Sequence, residues 1–154
     1  MIEAMVAACT SALFLSSLFA MNMTGIKAIR TAREAASASQ VLQQRVEAMR
    51  IANWHQVTDA TWVKNNLLNT SAAGSDALRN MSETITLIPY DSTTTGTTQL
   101  SRTGSTATIV NQTALLKESA LKVIWTVSYR GGINSTPVSR QAVAILAQGG
   151  VAKW

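Results

Sequence analysis

Cysteine, histidine and proline are scarce here: one Cys, one His and two Pro in 154 residues. A lone Cys9 excludes an intramolecular disulfide, a Cys-based metal site and a Cys-x-x-Cys-His haem anchor. With His55 the only histidine, no His/Cys cluster can form within one chain. A Ser-His-Asp arrangement would hang on that same residue, which reads as an ordinary surface histidine of a helix. The eight carboxylates are scattered singly and leave no close pair for general acid–base work. Neither Gly-x-x-x-x-Gly-Lys-Ser/Thr nor Gly-x-Gly-x-x-Gly occurs, so no phosphate cradle is encoded. These absences argue against an enzyme, and no metal or cofactor is expected.

Charge is missing from one place above all. Residues 4–26, "AMVAACTSALFLSSLFAMNMTGI", carry none, and the stretch is long enough to cross a bilayer as a helix. Glu3 stands immediately before it, and a lone carboxylate in hydrocarbon is costly unless it finds a partner. A cleavable secretory signal would need a basic start and a shorter apolar core. "VAAC" (residues 6–9) superficially resembles a lipid-attachment box, but the apolar stretch lies mostly after Cys9, which is backwards for such a signal. Cys9 is therefore read as a small apolar membrane residue. The net charge of +5 includes no dense Lys/Arg run. DNA or an anionic surface thus has only a weak claim as a partner.

Proline and glycine are also absent from "KAIRTAREAASASQVLQQRVEAMRIANWHQVTDATWVKNNLL" (residues 27–68), which is rich in Ala, Gln, Arg and Glu. Leu42, Val46, Met49, Asn53, Val57, Ala60, Val63 and Leu67 follow a three-and-four spacing and form one stripe. Residues 2–68 are expected to be a single helix of roughly 100 Å. Residues 1–26 form its apolar part and 27–68 its amphipathic continuation. Asn22, Thr24 and Gly25 mark its one weak point, the candidate break.

Residues 69–154 read as an antiparallel β domain. "SETITLIPY", "STATIV", "LKVIWTVSYR" and "VSRQAVAIL" give about four strands. The third is the clearest, with Leu121, Val123, Trp125, Val127 and Tyr129 on one face. Gly131-Gly132 opens the last turn and Pro137 closes it. Residues 90–104 are Ser/Thr-rich and read as an exposed loop. The amphipathic half of the helix must cover one face of this sheet, so the class is α+β, a long N-terminal helix packed on a small antiparallel sheet. Trp54, Trp62 and Trp125 read as packing residues. Five Asn-x-Ser/Thr triplets occur, at Asn22, Asn69, Asn80, Asn111 and Asn134. The last four are candidate glycosylation sites; Asn22 falls inside the apolar helix.

"MIEAMVAACTSALFLSSLFA" resembles the N-terminus of mature bacterial type IV pilins and the related secretion pseudopilins, above all through Ile2-Glu3-Ala4-Met5-Val6-Ala7. "LKVIWTVSYRGG…VSRQAVAIL" is similar, more loosely, to the last hairpin of several minor pilins and pseudopilins. Two departures stand out. The family places more residues ahead of the Ile-Glu pair than Met1 alone, and it often has Gly and Pro where Ala12 and Ala20 stand here.

The resemblance implies a precursor held in the inner membrane, cut from a basic leader by a prepilin peptidase and drawn by an inner-membrane assembly machine into a helical filament of identical copies. Several basic leader residues would also offset Lys27, Arg30 and Arg33, which follow the span and by themselves favour the opposite orientation. It assigns assembly to Met1, Ile2 and Glu3, and packing of the filament core to Leu13, Phe14, Leu15, Leu18 and Phe19. The expected function is a structural subunit of an extracellular type IV pilus-like filament serving adhesion, motility or surface interaction. The alternatives are a pseudopilin of a type II-like secretion system, which would be periplasmic, or a single-span membrane-anchored binding protein.

Overall fold

The computed structural model describes residues 1–90, 96–132 and 135–149. Its first element is a 50-residue helix, α1 (Ile2–Ile51), about 75 Å long at 1.5 Å per residue. The helix runs unbroken through Asn22 and Gly25, so the single chain has no break at the expected weak point. Thr24 Oγ1 donates to the Ala20 carbonyl at 3.0 Å and follows the helical path rather than leaving it.

The expected continuation to residue 68 is interrupted instead at Ala52, whose backbone is extended (φ −65°, ψ 146°). Asn53 starts a new short helix, α2 (Trp54–Thr58), through a capping box with Gln56. The Gln56 N–H donates to Asn53 Oδ1 at 3.0 Å, and the Asn53 N–H donates to Gln56 Oε1 at 3.1 Å. Asp59 makes a second cap by accepting the Thr61 N–H at 2.8 Å, ahead of a turn at Ala60–Trp62 and a π-helical segment, Val63–Leu68. Short polar side chains satisfy the free N–H groups of a new helix better than they satisfy a helix interior. Asn53 is accordingly exposed, not part of the buried stripe, while Val57, Ala60, Val63 and Leu67 remain buried. Asn53→Ala is expected to cost about 1 kcal/mol of stability, visible as a lowered thermal midpoint by tryptophan fluorescence; an unchanged midpoint would deny the cap any role.

Five strands form one antiparallel sheet in the order β3-β2-β1-β4-β5. They are β1 (Arg79–Pro89), β2 (Thr98–Thr103), β3 (Thr106–Asn111), β4 (Ala120–Gly131) and β5 (Thr136–Ala147). The additional strand is β2, which falls where an exposed loop over residues 90–104 was expected; residues 91–95 of that span lie outside the described residues. Its inward positions are Thr98, Leu100 and Arg102, all buried, and only one of them is apolar. Each polar one is matched: Thr98 Oγ1 donates to the Thr113 carbonyl at 3.1 Å and accepts the Thr113 N–H at 2.9 Å. Pro137 lies within β5 rather than closing the turn, which an edge strand tolerates.

Leu121, Val123, Trp125, Val127 and Tyr129 of β4 are buried together, as their alternation predicted. With Ile85, Leu87 and Leu100 they face Ala38, Val41, Leu42 and Met49 of α1 and the buried side of residues 57–68. The core is thus a single layer between the second half of α1 and one sheet face. Trp54 and Trp62 pack at its margin, whereas Trp125 is fully enclosed.

Candidate functional site: an exposed apolar stem on a locked helix

Every one of the first 29 residues is exposed. Met5, Val6, Leu13, Phe14, Leu15, Leu18, Phe19, Met21, Met23 and Ile26 are among the large apolar side chains left open to the surroundings. Burying each such side chain is worth roughly 1.5–3 kcal/mol. The stem therefore strongly favours any setting that covers it, and exposed apolar surface on this scale marks a membrane or protein contact. It is long and apolar enough to cross a membrane.

The hydroxyls of the stem are arranged for such a setting. Thr10 donates to the Val6 and Ala7 carbonyls, Ser16 to Ala12 and Leu13, and Ser17 to Phe14, all at 2.7–3.0 Å. Bonded back onto their own helix, they need no water and can enter a dry environment. Glu3 is different. It has no ion pair or hydrogen bond among the described residues, although its place in the first turn of α1 suits the positive end of the helix dipole.

Where the stem ends, α1 is fastened to the sheet by polar contacts that the hydrophobic pattern did not reveal. Glu34 is the first. It accepts the Gly132 N–H on Oε2 at 2.8 Å and Arg30 Nε on Oε1 at 3.0 Å, joining α1 to the turn after β4. Gly131 leaves room for this: a Cβ there would meet Glu34 Oε2 at 3.3 Å and the Val138 side chain at 3.2 Å. The Gly132 N–H, more than the Arg30 and Arg79 charges, holds the Glu34 carboxyl below its ordinary pKa against the opposing effect of burial. A lowered folded-state pKa means the tether stabilises the fold above the ordinary glutamate range and weakens as pH falls through the lowered value. The stability difference between wild type and Glu34→Gln is therefore expected to be largest near neutrality and to shrink in acid. A difference that does not vary with pH would contradict this role.

The second fastening is in the core. Glu83 of β1 is fully buried and accepts from three side chains. Arg45 of α1 donates Nε to Oε2 and Nη2 to Oε1, both at 3.0 Å. Arg102 of β2 donates Nη1 to Oε1 at 3.0 Å, and Trp125 of β4 donates Nε1 to Oε2 at 3.2 Å. The Arg45 guanidinium also lies 5.7 Å from the Trp125 ring centroid and reaches the Thr70 carbonyl at 2.7 Å. One carboxylate thereby joins the helix, three adjacent strands and the loop after residue 68. Between these two sites, Gln44 Oε1 accepts the Ala73 N–H at 2.7 Å. The stem direction is fixed relative to the body by these contacts, since sliding α1 by one turn would strand charged groups in hydrocarbon.

The remaining candidates are spread over the surface. Leu13, Phe14, Leu15, Leu18 and Phe19 surround the stem rather than lining one stripe. Asn69, Asn80 and Asn111 are exposed, and Asn134 lies outside the described residues. His55 is exposed on α2, and Cys9 is a free, exposed thiol on the stem. Comparison of the chain with protein-family models, curated proteins and solved structures gives no match.

Proposed function

We propose that this protein is a structural subunit of a helical type IV pilus-like filament. One observation carries the reading: a wholly exposed apolar stem, uncharged from residue 4 to 26 and headed by Glu3, which has no partner among the described residues, continuous with a helix locked onto a sheet. In this reading the stem rests in the inner membrane before assembly. It then moves into a filament interior in which neighbouring stems replace lipid, while the sheet bodies face outward. Glu3 pairs there with the positive amino terminus of an adjacent copy. Opposite charges attract strongly in an apolar bundle, and a subunit in the wrong axial register would leave both unpaired. The peptidase and assembly machine belong to the same proposal, as does the extracellular location.

A second reading draws on the same stem, which suits a permanent single-span anchor for an extracytoplasmic binding domain. Shearing cells and assaying the released material separates the two. The filament reading expects the chain in the sheared fraction, with an intact mass that reports its N-terminus and any methyl or sugar groups. Recovery only from detergent-extracted membranes, as a monomer, would favour the anchor. A periplasmic secretion pseudopilus would place filaments within the envelope and few outside it.

A further inference from the structure

At one end of the sheet, the loop over residues 71–78, the start of β1 and the β2–β3 turn border an open cleft of about 510 Å³, in which polar groups sit beside the apolar side chains of Leu78 and Met81. Its walls include Ser71, Ser75, Asp76, Asn80, Arg102 and Gly104. The backbone is specialised here. Asn80 sits at a left-handed φ of 48° beside a bulge between Arg79 and Ser82, and Gly104 turns the β2–β3 hairpin at φ 62°.

Arg102 gives the cleft its chemistry. Its side chain is 11% exposed and held by named partners: Nε donates to the Gly104 carbonyl at 2.8 Å, and Nη1 donates to the Thr70 carbonyl at 3.2 Å and to Glu83 Oε1 at 3.0 Å. Nη2 has no partner among the described residues, yet no fully enclosed side-chain nitrogen or oxygen there goes unbonded, so Nη2 keeps some exposure, and Arg102 is among the residues that line the cleft. Behind it, two guanidiniums (Arg45 and Arg102) share the single Glu83 carboxylate. The floor thus carries a net positive charge and one immobilised, unused donor, a setting in which an anionic oxygen is bound more strongly than a neutral one. The rim is the opposite: Asp76, Ser71, Ser75 and Asn80 are short groups suited to hydroxyls.

We propose that this cleft binds a saccharide bearing a carboxylate, a uronic acid unit, with the carboxylate on Arg102 Nη2 and ring hydroxyls on Asp76, Ser71, Ser75 and Asn80. A simple anion would satisfy Arg102 but gain nothing from the rim and meet the Asp76 charge. A neutral sugar would leave the floor uncompensated. The proposal is independent of filament assembly, since the cleft belongs to the body alone.

The test is amide NMR of the full chain in dodecylphosphocholine micelles, which present no sugar headgroup, titrated separately with glucuronate, glucose and acetate. Saturable shifts are expected at the Asn80 and Gly104 amides, with glucuronate about tenfold tighter than either fragment, equivalent to ~1.4 kcal/mol. Ser75→Tyr, which fills the cleft without removing an Arg102 bond, is expected to abolish the shifts while the Trp125 indole signal stays in place. Asp76→Ala, on the exposed rim, should weaken glucuronate, which loses a hydroxyl partner, and strengthen acetate, which loses only a repelling charge. Acetate binding as tightly as glucuronate would overturn the saccharide, and glucose doing so would overturn the carboxylate. The absence of saturable shifts, or shifts that persist in Ser75→Tyr, would overturn the site.

Discussion

Glu83→Ala is expected to destabilise the body by about 3–5 kcal/mol, the range for breaking a buried ion pair from one side. The substitution leaves the Arg45 and Arg102 guanidiniums and the Trp125 indole N–H without their shared acceptor inside the core. Typical domains hold only about 5–15 kcal/mol in all, so the variant should sit near the threshold of folding. Denaturant unfolding in micelles, followed by Trp125 fluorescence, measures the loss. A midpoint within about 1 kcal/mol of wild type would mean that water relieves the two guanidiniums and that the contact is not a lock. Replacing Arg45, Glu83 and Arg102 together by apolar residues of similar volume is expected to be far milder, because no charge is then stranded. The pair of results distinguishes stability from specificity: the cluster's contribution is to allow α1 one axial position on the sheet.

Glu3→Ala is expected to lower filament yield about tenfold or more, equivalent to at least ~1.4 kcal/mol of assembly free energy per subunit. Glu3→Gln should behave alike, because the account requires the charge rather than the shape. Removing a carboxylate from the head of an apolar helix makes membrane insertion easier, so the variant should accumulate normally in membranes. Glu3 precedes Glu34 by 31 residues, roughly 45 Å of helix, which separates assembly from the stability of the body. Wild-type filament yield from either variant would remove Glu3 from the mechanism. Loss of the protein from membranes would instead mean that the residue serves insertion.

The class of fold, the length and character of the stem and the inward face of β4 were legible because each is written in apolar periodicity. Leu121, Val123, Trp125, Val127 and Tyr129 alternate with polar residues, Ile124 being the one apolar exception on the outer face. The polar fastenings were written in the same periodicity but with the wrong chemistry for a hydrophobic reading. Glu83 is in phase with Ile85 and Leu87, Arg102 is in phase with Leu100, and Arg45 lies between Leu42 and Met49 on the covered side of α1. Three charged residues at inward positions are the signal of a buried ionic cluster, since each is tolerable only if the others are opposite it.

The end of α1 was misplaced for a related reason. Asn53 fits the stripe by spacing, yet Asn53 followed by Gln56 also fits a capping box, and the side-chain hydrogen bonds prevailed over periodicity. β2 was hidden because two of its three inward residues, Thr98 and Arg102, are polar and gain their stability from partners far away in sequence.

Stem and body divide the physical work between them. In the proposed filament the stem supplies the area that drives association, and Glu3 is the one charge able to select a register. The body, through Glu34 and the Glu83 cluster, fixes the angle at which that stem leaves it, so that repeated copies can adopt one geometry. Cryo-electron microscopy of material sheared from cells tests this most directly. The account predicts helical filaments with residues 1–26 packed in a dry centre, the sheet bodies outside, and Glu3 of each copy beside the amino terminus of another. Sheared material without filaments of this chain, or filaments whose stems lie on the outside with Glu3 in solvent, would contradict it.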